Sequence, residues 1–128
     1  MRDRPQGHEL LAIAAQTFRE QLLPALPEEK KYVAMMLLNA LSIAERQLAN
    51  GEAALQAEAE ALEALLGMST DEGAAINARL AVLDRTLAQR IRKGALDDDR
   101  AAQQLLWAIT LQKVRESSPR YLKAEGLE

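Results

Sequence analysis

The segment AMMLLNALSIAERQL, residues 34–48, constrains the fold most strongly because it is the most apolar run in the chain. Its apolar residues recur every three or four positions, which is the spacing of an α-helix. The first stripe consists of Val33, Leu37, Ala40, Ala44 and Leu48. An adjacent second stripe consists of Tyr32, Met36, Asn39 and Ile43. Two stripes predict a helix that is buried on more than one side.

Asn39 is the polar residue in the middle of this run, and three interpretations of it are open. Its amide could be buried against a neighbouring helix, could line a small internal polar site, or could face solvent. Met36 and Ile43 lie beside it at helical spacing and disfavour the exposed position. We therefore predict a buried amide that fixes the register of helix packing at some cost in stability.

The composition favours helix along the whole chain. Of the 128 residues, 48% are hydrophobic, and Ala and Leu, which are strong helix formers, supply most of them. No internal repeat or long linker separates parts of the sequence. We predict an all-α fold in a single domain, residues 1–128. The short connections between helices favour an up-down bundle of four to five antiparallel helices.

Prolines, glycines and capping residues predict where the helices begin and end. Helices are expected at about residues 8–22, 28–50, 52–66, from the segment STDE to about 93, and from the aspartates 97–99 to about 116. In STDE, Ser69 and Glu72 have the spacing of a capping box. The tail from about residue 117 is expected to dock through Tyr121 and Leu122 or to fray.

Several classes of function are disfavoured by composition. Without cysteine, the chain has no disulfide, thiolate metal site or cysteine nucleophile. The net charge of −3 disfavours a nucleic-acid partner, since phosphate contacts dominate that affinity. No apolar run reaches the roughly 18 residues of a membrane span, and the first residues do not resemble a signal peptide. We therefore expect a cytoplasmic protein with no membrane partner.

Catalytic and metal-binding residues are sparse. His8 is the single histidine, and no Glu-x-x-His motif of the kind used by di-iron bundles is present. The acidic residues of the third helix are expected on the side opposite its leucine stripe. The basic residues Arg85, Arg90, Arg92 and Lys93 are interpreted as charges that suit a helix C-terminus. We predict no enzyme activity, no metal and no cofactor.

Three functional hypotheses remain open. The first is a non-catalytic module that binds itself or a partner protein, and Trp107, which shares a helix with Leu111 and Val114, is then a core or interface residue. The second is a small-ligand or acyl-chain site lined by Met35, Met36, Leu37 and Trp107. The third, and the least favoured, is a small enzyme with a carboxylate or arginine site between helices.

The stretches RDRP near the N-terminus, LLPALP at residues 22–27 and NALSIAERQL at residues 39–48 resemble an uncharacterised bacterial family of small helical proteins. The resemblance is clearest over residues 1–51. It implies a genomic setting: members are often encoded beside acyl-CoA dehydrogenase-like proteins and phosphotransferases of the aminoglycoside-kinase type. It carries over no catalytic residue, and it implies an accessory or partner protein.

Overall fold

The computed structural model describes residues 4–127, and the regular structure within that range is helical, with no strand. The α-helices are α1 (Gly7–Thr17), α2 (Glu28–Asn50), α3 (Ala53–Leu66), α4 (Ile76–Arg92), α5 (Arg100–Ser117) and α6 (Pro119–Glu125). The all-α prediction is confirmed. Contacts divide the chain into two compact units, residues 1–51 and 52–128, which are described separately below. The single domain and the up-down order of the whole chain stay predictions.

The first unit is a hairpin of α1 packed against α2. Gly7, at the start of α1, lies so close to Leu48, near the end of α2, that a Cβ at Gly7 would be 3.5 Å from Leu48 Cδ1. The two helices are therefore antiparallel. The buried residues of the pair are Ala15, Ala34 and Leu38. Two of these three are alanines, so this unit has a small core of its own.

The connection between α1 and α2 departs from the predicted single helix over residues 8–22. The α-helix ends at Thr17, a π-helical turn covers Phe18–Leu22, and a 3-10 turn covers Leu23–Ala25. Pro24 provides the physical reason, because it has no N–H and its ring crowds the preceding turn. The Leu23 N–H instead donates to the Phe18 carbonyl, which is the wider π pattern.

The buried face of α2 is not the one that the sequence predicts. Ala34 and Leu38 are buried, whereas Met36 is 58% exposed and Asn39 is also exposed. The prediction of a buried Asn39 amide is therefore wrong in this chain. Among residues 4–51, α1 is the α-helix that packs against α2, and the α2 residues 35–37, 39 and 40 remain exposed.

The second unit contains the larger core. It consists of Ala59, Leu62 and Leu66 from α3 and Ile76, Leu80, Leu83 and Leu87 from α4. Half-buried residues of α5, among them Leu105, Leu106 and Ile109, pack against this core. The inward leucine stripe predicted for α3 is confirmed. On α4, helical spacing predicts an inward stripe of Ile76, Leu80, Leu83, Leu87 and Ile91, which is confirmed except for Ile91, which is exposed. Gly67 and Gly94 end α3 and α4 with positive φ, as expected.

The start of α4 corrects another prediction. Ser69 and Glu72 do not form a capping box, because α4 begins at Ile76 and its N-cap residue is Ala75. Residues 67–75 form a loop in which the Thr70 N–H donates to Glu63 Oε1 at 2.9 Å. By contrast, α5 begins directly after the aspartates 97–99 as predicted, and Asp99 caps it by accepting a hydrogen bond from the Ala102 N–H at 3.0 Å.

The C-terminal tail is helical and docked. Leu122 of α6 is 2% exposed, and Tyr121 beside it is exposed. The tail therefore packs through Leu122, whereas Tyr121 does not contribute a buried side chain. Pro119 stands in the first turn of α6, where its missing N–H costs no helical hydrogen bond.

Candidate functional site

The outer face of α2 is the most distinctive surface of the first unit. We define it as Val33, Met36, Leu37, Ala40, Ile43 and Ala44. Val33, Met36, Ala40 and Ile43 lie two and five residues on either side of the buried Leu38. At about 100° per residue, these offsets place them on the side opposite Leu38. The outer face therefore points away from α1.

The exposure of this face is large for apolar residues. Val33 is 63% exposed, Met36 and Leu37 are about half exposed, and Ala40 is also exposed. Ile43 and Ala44 are half-buried. Residues 32–44 contain no charged side chain, so no charge lies among these apolar groups. A helix segment that is uncharged all round is ordinarily buried on all sides.

Helix α1 presents a smaller surface of the same kind. Leu10 and Ile13 are more than half exposed and lie five and two residues before the buried Ala15. The same helical geometry places them on the side of α1 that is turned away from α2. The hairpin therefore carries apolar residues on both of its outer sides, which is the pattern of an inner layer.

The residues that the sequence suggested for a ligand pocket are distributed over both units. Met36 belongs to the outer face of α2 in the first unit, and Trp107 lies on α5 in the second unit. Trp107 is 56% exposed, so it is not a core residue. An interface role for Trp107 stays a prediction.

A polar cluster forms between α3, α4 and the loop that joins them. Arg79 is 8% exposed, and each nitrogen of its guanidinium donates one hydrogen bond. Nε donates to Thr70 Oγ1 at 2.8 Å, Nη1 to Gln56 Oε1 at 3.1 Å, and Nη2 to Glu63 Oε1 at 3.2 Å. Because every one of these nitrogens has a protein partner, the buried charge is well compensated.

Glu63 is held in its charged form by this cluster. The Thr70 hydroxyl and then the Thr70 backbone N–H lower the pKa of Glu63 by donating to its carboxylate. Partial burial opposes this shift, and Arg79 adds to it. A lowered pKa suits a carboxylate that anchors a loop and does not suit a general base poised near neutral pH.

The cluster corrects the expected position of the acidic residues of α3. Glu63 turns toward α4, and Glu58 turns toward α5, where its Oε1 is 3.4 Å from Lys113 Nζ. Arg79 itself was the available signal in the sequence. It lies three residues after Ile76 and four before Leu83, inside the apolar stripe of α4, where a charged residue requires a partner.

The basic residues at the end of α4 include one with a defined structural contact. Arg90 Nη2 donates to the Leu66 carbonyl at 2.6 Å and so binds the C-terminal end of α3. The prediction that these residues suit a helix C-terminus holds for Arg90, but the helix that Arg90 binds is α3.

An apolar groove runs along α3 and α5 within the second unit. Its volume is about 290 Å³, and its lining includes Ala54, Ala57, Ala61, Leu105, Ala108 and Ile109. The alanines of α3 make room for this groove because their side chains are short. Its volume is close to the lower end of typical ligand sites, which begin at about 300 Å³.

Residues 4–127 contain neither a cluster of metal ligands nor a helix able to span a membrane. No group of three or more His, Asp or Glu side chains placed to hold a metal ion occurs in that range. None of the helices described here combines the length and the apolar character that crossing a bilayer requires.

Comparison with other proteins was informative at the level of the family. No curated protein and no solved structure matched the chain. A family model described as Domain of unknown function (DUF6285) matched residues 24–121, which include all of α2 to α5 and the first residues of α6. The RDRP stretch lies before the matched range. Since the match covers well over half of the sequence, this chain belongs to the DUF6285 family.

Proposed function

We propose that this chain is a non-catalytic, cytoplasmic helical module that binds protein through the apolar outer sides of its first hairpin. The observation that carries the proposal is the outer face of α2. It is apolar, free of charge and open over the central residues of a 23-residue helix. Exposed apolar surfaces of this extent are typical of protein interaction sites.

The small core of the hairpin supports the same proposal. Among residues 4–51, the buried apolar residues are Ala15, Ala34 and Leu38. Two-helix hairpins with such a core are marginal without a further layer of structure. Covering the outer sides with a partner would add the missing hydrophobic stabilisation.

The polar groups of the second unit support a structural role. Arg79 and Glu63 are the pair that a small enzyme could have used between helices. Arg79 donates hydrogen bonds to Glu63, Thr70 and Gln56, and Glu63 also accepts one from the Thr70 hydroxyl. Charges held in this way stabilise the loop between α3 and α4.

Two kinds of partner fit this proposal: a second copy of the chain and the enzymes implied by the family resemblance. Acyl-CoA dehydrogenase-like proteins and aminoglycoside-kinase-type phosphotransferases are the expected gene neighbours, and the chain would act as their accessory subunit. The test is to purify the products of the neighbouring genes and to measure their binding to the intact chain by calorimetry. Sedimentation of the chain alone, in the same buffer, measures self-association.

Three variants make this test specific. Ile13→Glu and Met36→Glu place a carboxylate on the outer sides of α1 and α2, while Val82→Glu changes an exposed valine of α4 in the second unit. We expect Ile13→Glu or Met36→Glu to weaken association by about tenfold or more, because a charge is desolvated at the interface. Val82→Glu should bind as the wild type does. A wild-type chain that stays monomeric and binds none of these products contradicts the proposal.

The groove of the second unit favours a second candidate function, the binding of a small apolar ligand such as an acyl chain. Ala57 lines this groove, so Ala57→Trp would obstruct it, and Ala81→Trp is a control at an exposed position of α4. Acyl-CoAs should raise the melting temperature of the wild type and of Ala81→Trp but not of Ala57→Trp. The absence of a shift in the wild type contradicts this candidate.

A further inference from the structure

We infer that the outer face of α2 pairs with the same face of a second copy of this chain, antiparallel and about a twofold axis level with Leu38. The inference rests on the proposed function, because it names the partner of that surface. The order of the residues along the face determines which side chains of the two copies meet.

The outer face is complementary to itself when it is reversed. Its four central residues, Val33, Met36, Ala40 and Ile43, are spaced symmetrically about Leu38. A twofold axis at that level places Val33 against Ile43 of the second copy and Met36 against its Ala40. The long Met36 then faces the short Ala40, as in packed helices that interdigitate, and the two β-branched side chains of Val33 and Ile43 face each other. This self-complementarity is the requirement of a twofold interface.

Charge does not oppose the pairing. The charged residues of α2 are Glu28 to Lys31 at its start and Glu45 and Arg46 toward its end. The uncharged residues 32–44 lie between these groups and contain the whole outer face. Glu45 lies seven residues after Leu38, on the side that packs against α1. No charged side chain is therefore desolvated at the centre of the proposed interface.

The available area is at the lower end of what a specific dimer requires. If the outer face and exposed Tyr32 were fully covered, they would bury on the order of 600 Å² per copy, or about 1,200 Å² in total. The result is a four-helix arrangement in which each α2 is covered by its own α1 on one side and by the partner α2 on the other. Such an arrangement would supply the missing layer of the hairpin.

The natural lack of cysteine makes a crosslinking test direct. Val33→Cys and Ile43→Cys proteins are mixed, incubated together and oxidised, and disulfide dimers are identified by mass. Antiparallel pairing brings these two positions together, so the mixed dimer should dominate. Each variant alone should form little disulfide, because its two copies of the cysteine lie roughly 15 Å apart along the helix axis. Val82→Cys, on α4, measures the background of random collisions.

A second measurement keeps the inference independent of crosslinking. Ala40→Glu places a carboxylate against Met36 of the second copy, and Ala81→Glu makes the same change at an exposed position of α4. Sedimentation equilibrium should show a wild-type dimer, a dimerisation constant weakened about tenfold or more for Ala40→Glu, and no change for Ala81→Glu. Because Ala40 is exposed in the single chain, its substitution should leave the helical circular dichroism unchanged.

The outcomes separate this inference from the proposed function. A monomeric wild type, a homodisulfide of Val33→Cys that exceeds the mixed product, or equal effects of Ala40→Glu and Ala81→Glu each overturns the antiparallel dimer. If the monomeric chain nevertheless binds a neighbouring gene product through the same face, the proposed function stands and the second copy is not the occupant. If the chain neither dimerises nor binds, both are overturned.

Discussion

Arg79 Nη2 donates to Glu63 Oε1 across 3.2 Å, and the same carboxylate oxygen accepts both hydrogen bonds from Thr70. One carboxylate oxygen therefore joins α4, α3 and the loop between them. The guanidinium is buried, so these hydrogen bonds replace the water that it loses on folding. Stability measurements on the second unit can test this relationship directly.

Removing the arginine should destabilise the protein clearly. Arg79→Met keeps much of the apolar stem but leaves Glu63, Thr70 and Gln56 without their shared donor. We expect a loss of about 2–4 kcal/mol in the free energy of unfolding, because a buried pair is broken from one side. Arg85→Met, at an exposed position of the same helix, should change it by less than about 0.5 kcal/mol. Urea denaturation measures both, and equal losses would contradict the structural role of Arg79.

The stability of the wild type should fall in acid partly through Glu63. The pKa of Glu63 is lowered from its ordinary value of 4.5, chiefly by the Thr70 hydroxyl and then by the Thr70 N–H. The charged form is therefore favoured by folding. Its contribution is fully present above pH 4.5 and is lost as the pH falls through the lower pKa of the folded state.

The test compares urea midpoints of the wild type and Glu63→Gln between about pH 3 and pH 7. We expect the stability difference between them to be constant near neutral pH and to shrink in acid, because Glu63→Gln has no such group to protonate. Glu60→Gln removes an exposed carboxylate of α3 and should follow the wild-type profile. A Glu63→Gln profile parallel to the wild type down to the lowest pH would contradict the assignment.

The helices were largely predictable because their signals are local. Asn50–Gly51, Gly67 and Gly94 end helices where the sequence predicts, and Asp99 caps α5. Leu62 and Leu83 are fully buried on the stripes that their spacing predicts. Each of these features depends on a few neighbouring residues, so an individual sequence contains the information.

The failures concern features that depend on distant contacts. Periodicity correctly marked several apolar faces of α2, but it could not show that α1 covers only the face of Ala34 and Leu38. Asn39 was misplaced for this reason. The spacing of Ser69 and Glu72 fitted a capping box, but the Thr70 hydrogen bonds to Glu63 hold that segment in a loop. The polar cluster was missed because Gln56 is 23 residues from its partner Arg79.

The core of the second unit should respond strongly to the loss of a single side chain. Leu83 is fully buried, and Leu83→Ala would leave a cavity in a cluster formed by α3 and α4. The expected loss is about 2–5 kcal/mol in the free energy of unfolding. Val82→Ala, at the next position, removes a side chain that is 45% exposed and should cost less than about 1 kcal/mol. Chemical denaturation that ranked the two in the opposite order would show that α4 packs in a different register.

Removing the side chains of Asp99 and Ser69, the two candidate helix caps, should change the free energy of unfolding by different amounts. Asp99 Oδ1 accepts from the Ala102 N–H, so Asp99→Ala should lower the free energy of unfolding by about 1 kcal/mol. Ser69 is exposed and lies seven residues before the start of α4, so Ser69→Ala should be almost neutral. Asp98→Ala, beside the true cap, controls for the loss of a charge near the N-terminus of α5. If Ser69→Ala cost as much as Asp99→Ala, Ser69 would be a true helix cap. The helix after Gly67 would then begin at the STDE segment and not at Ile76.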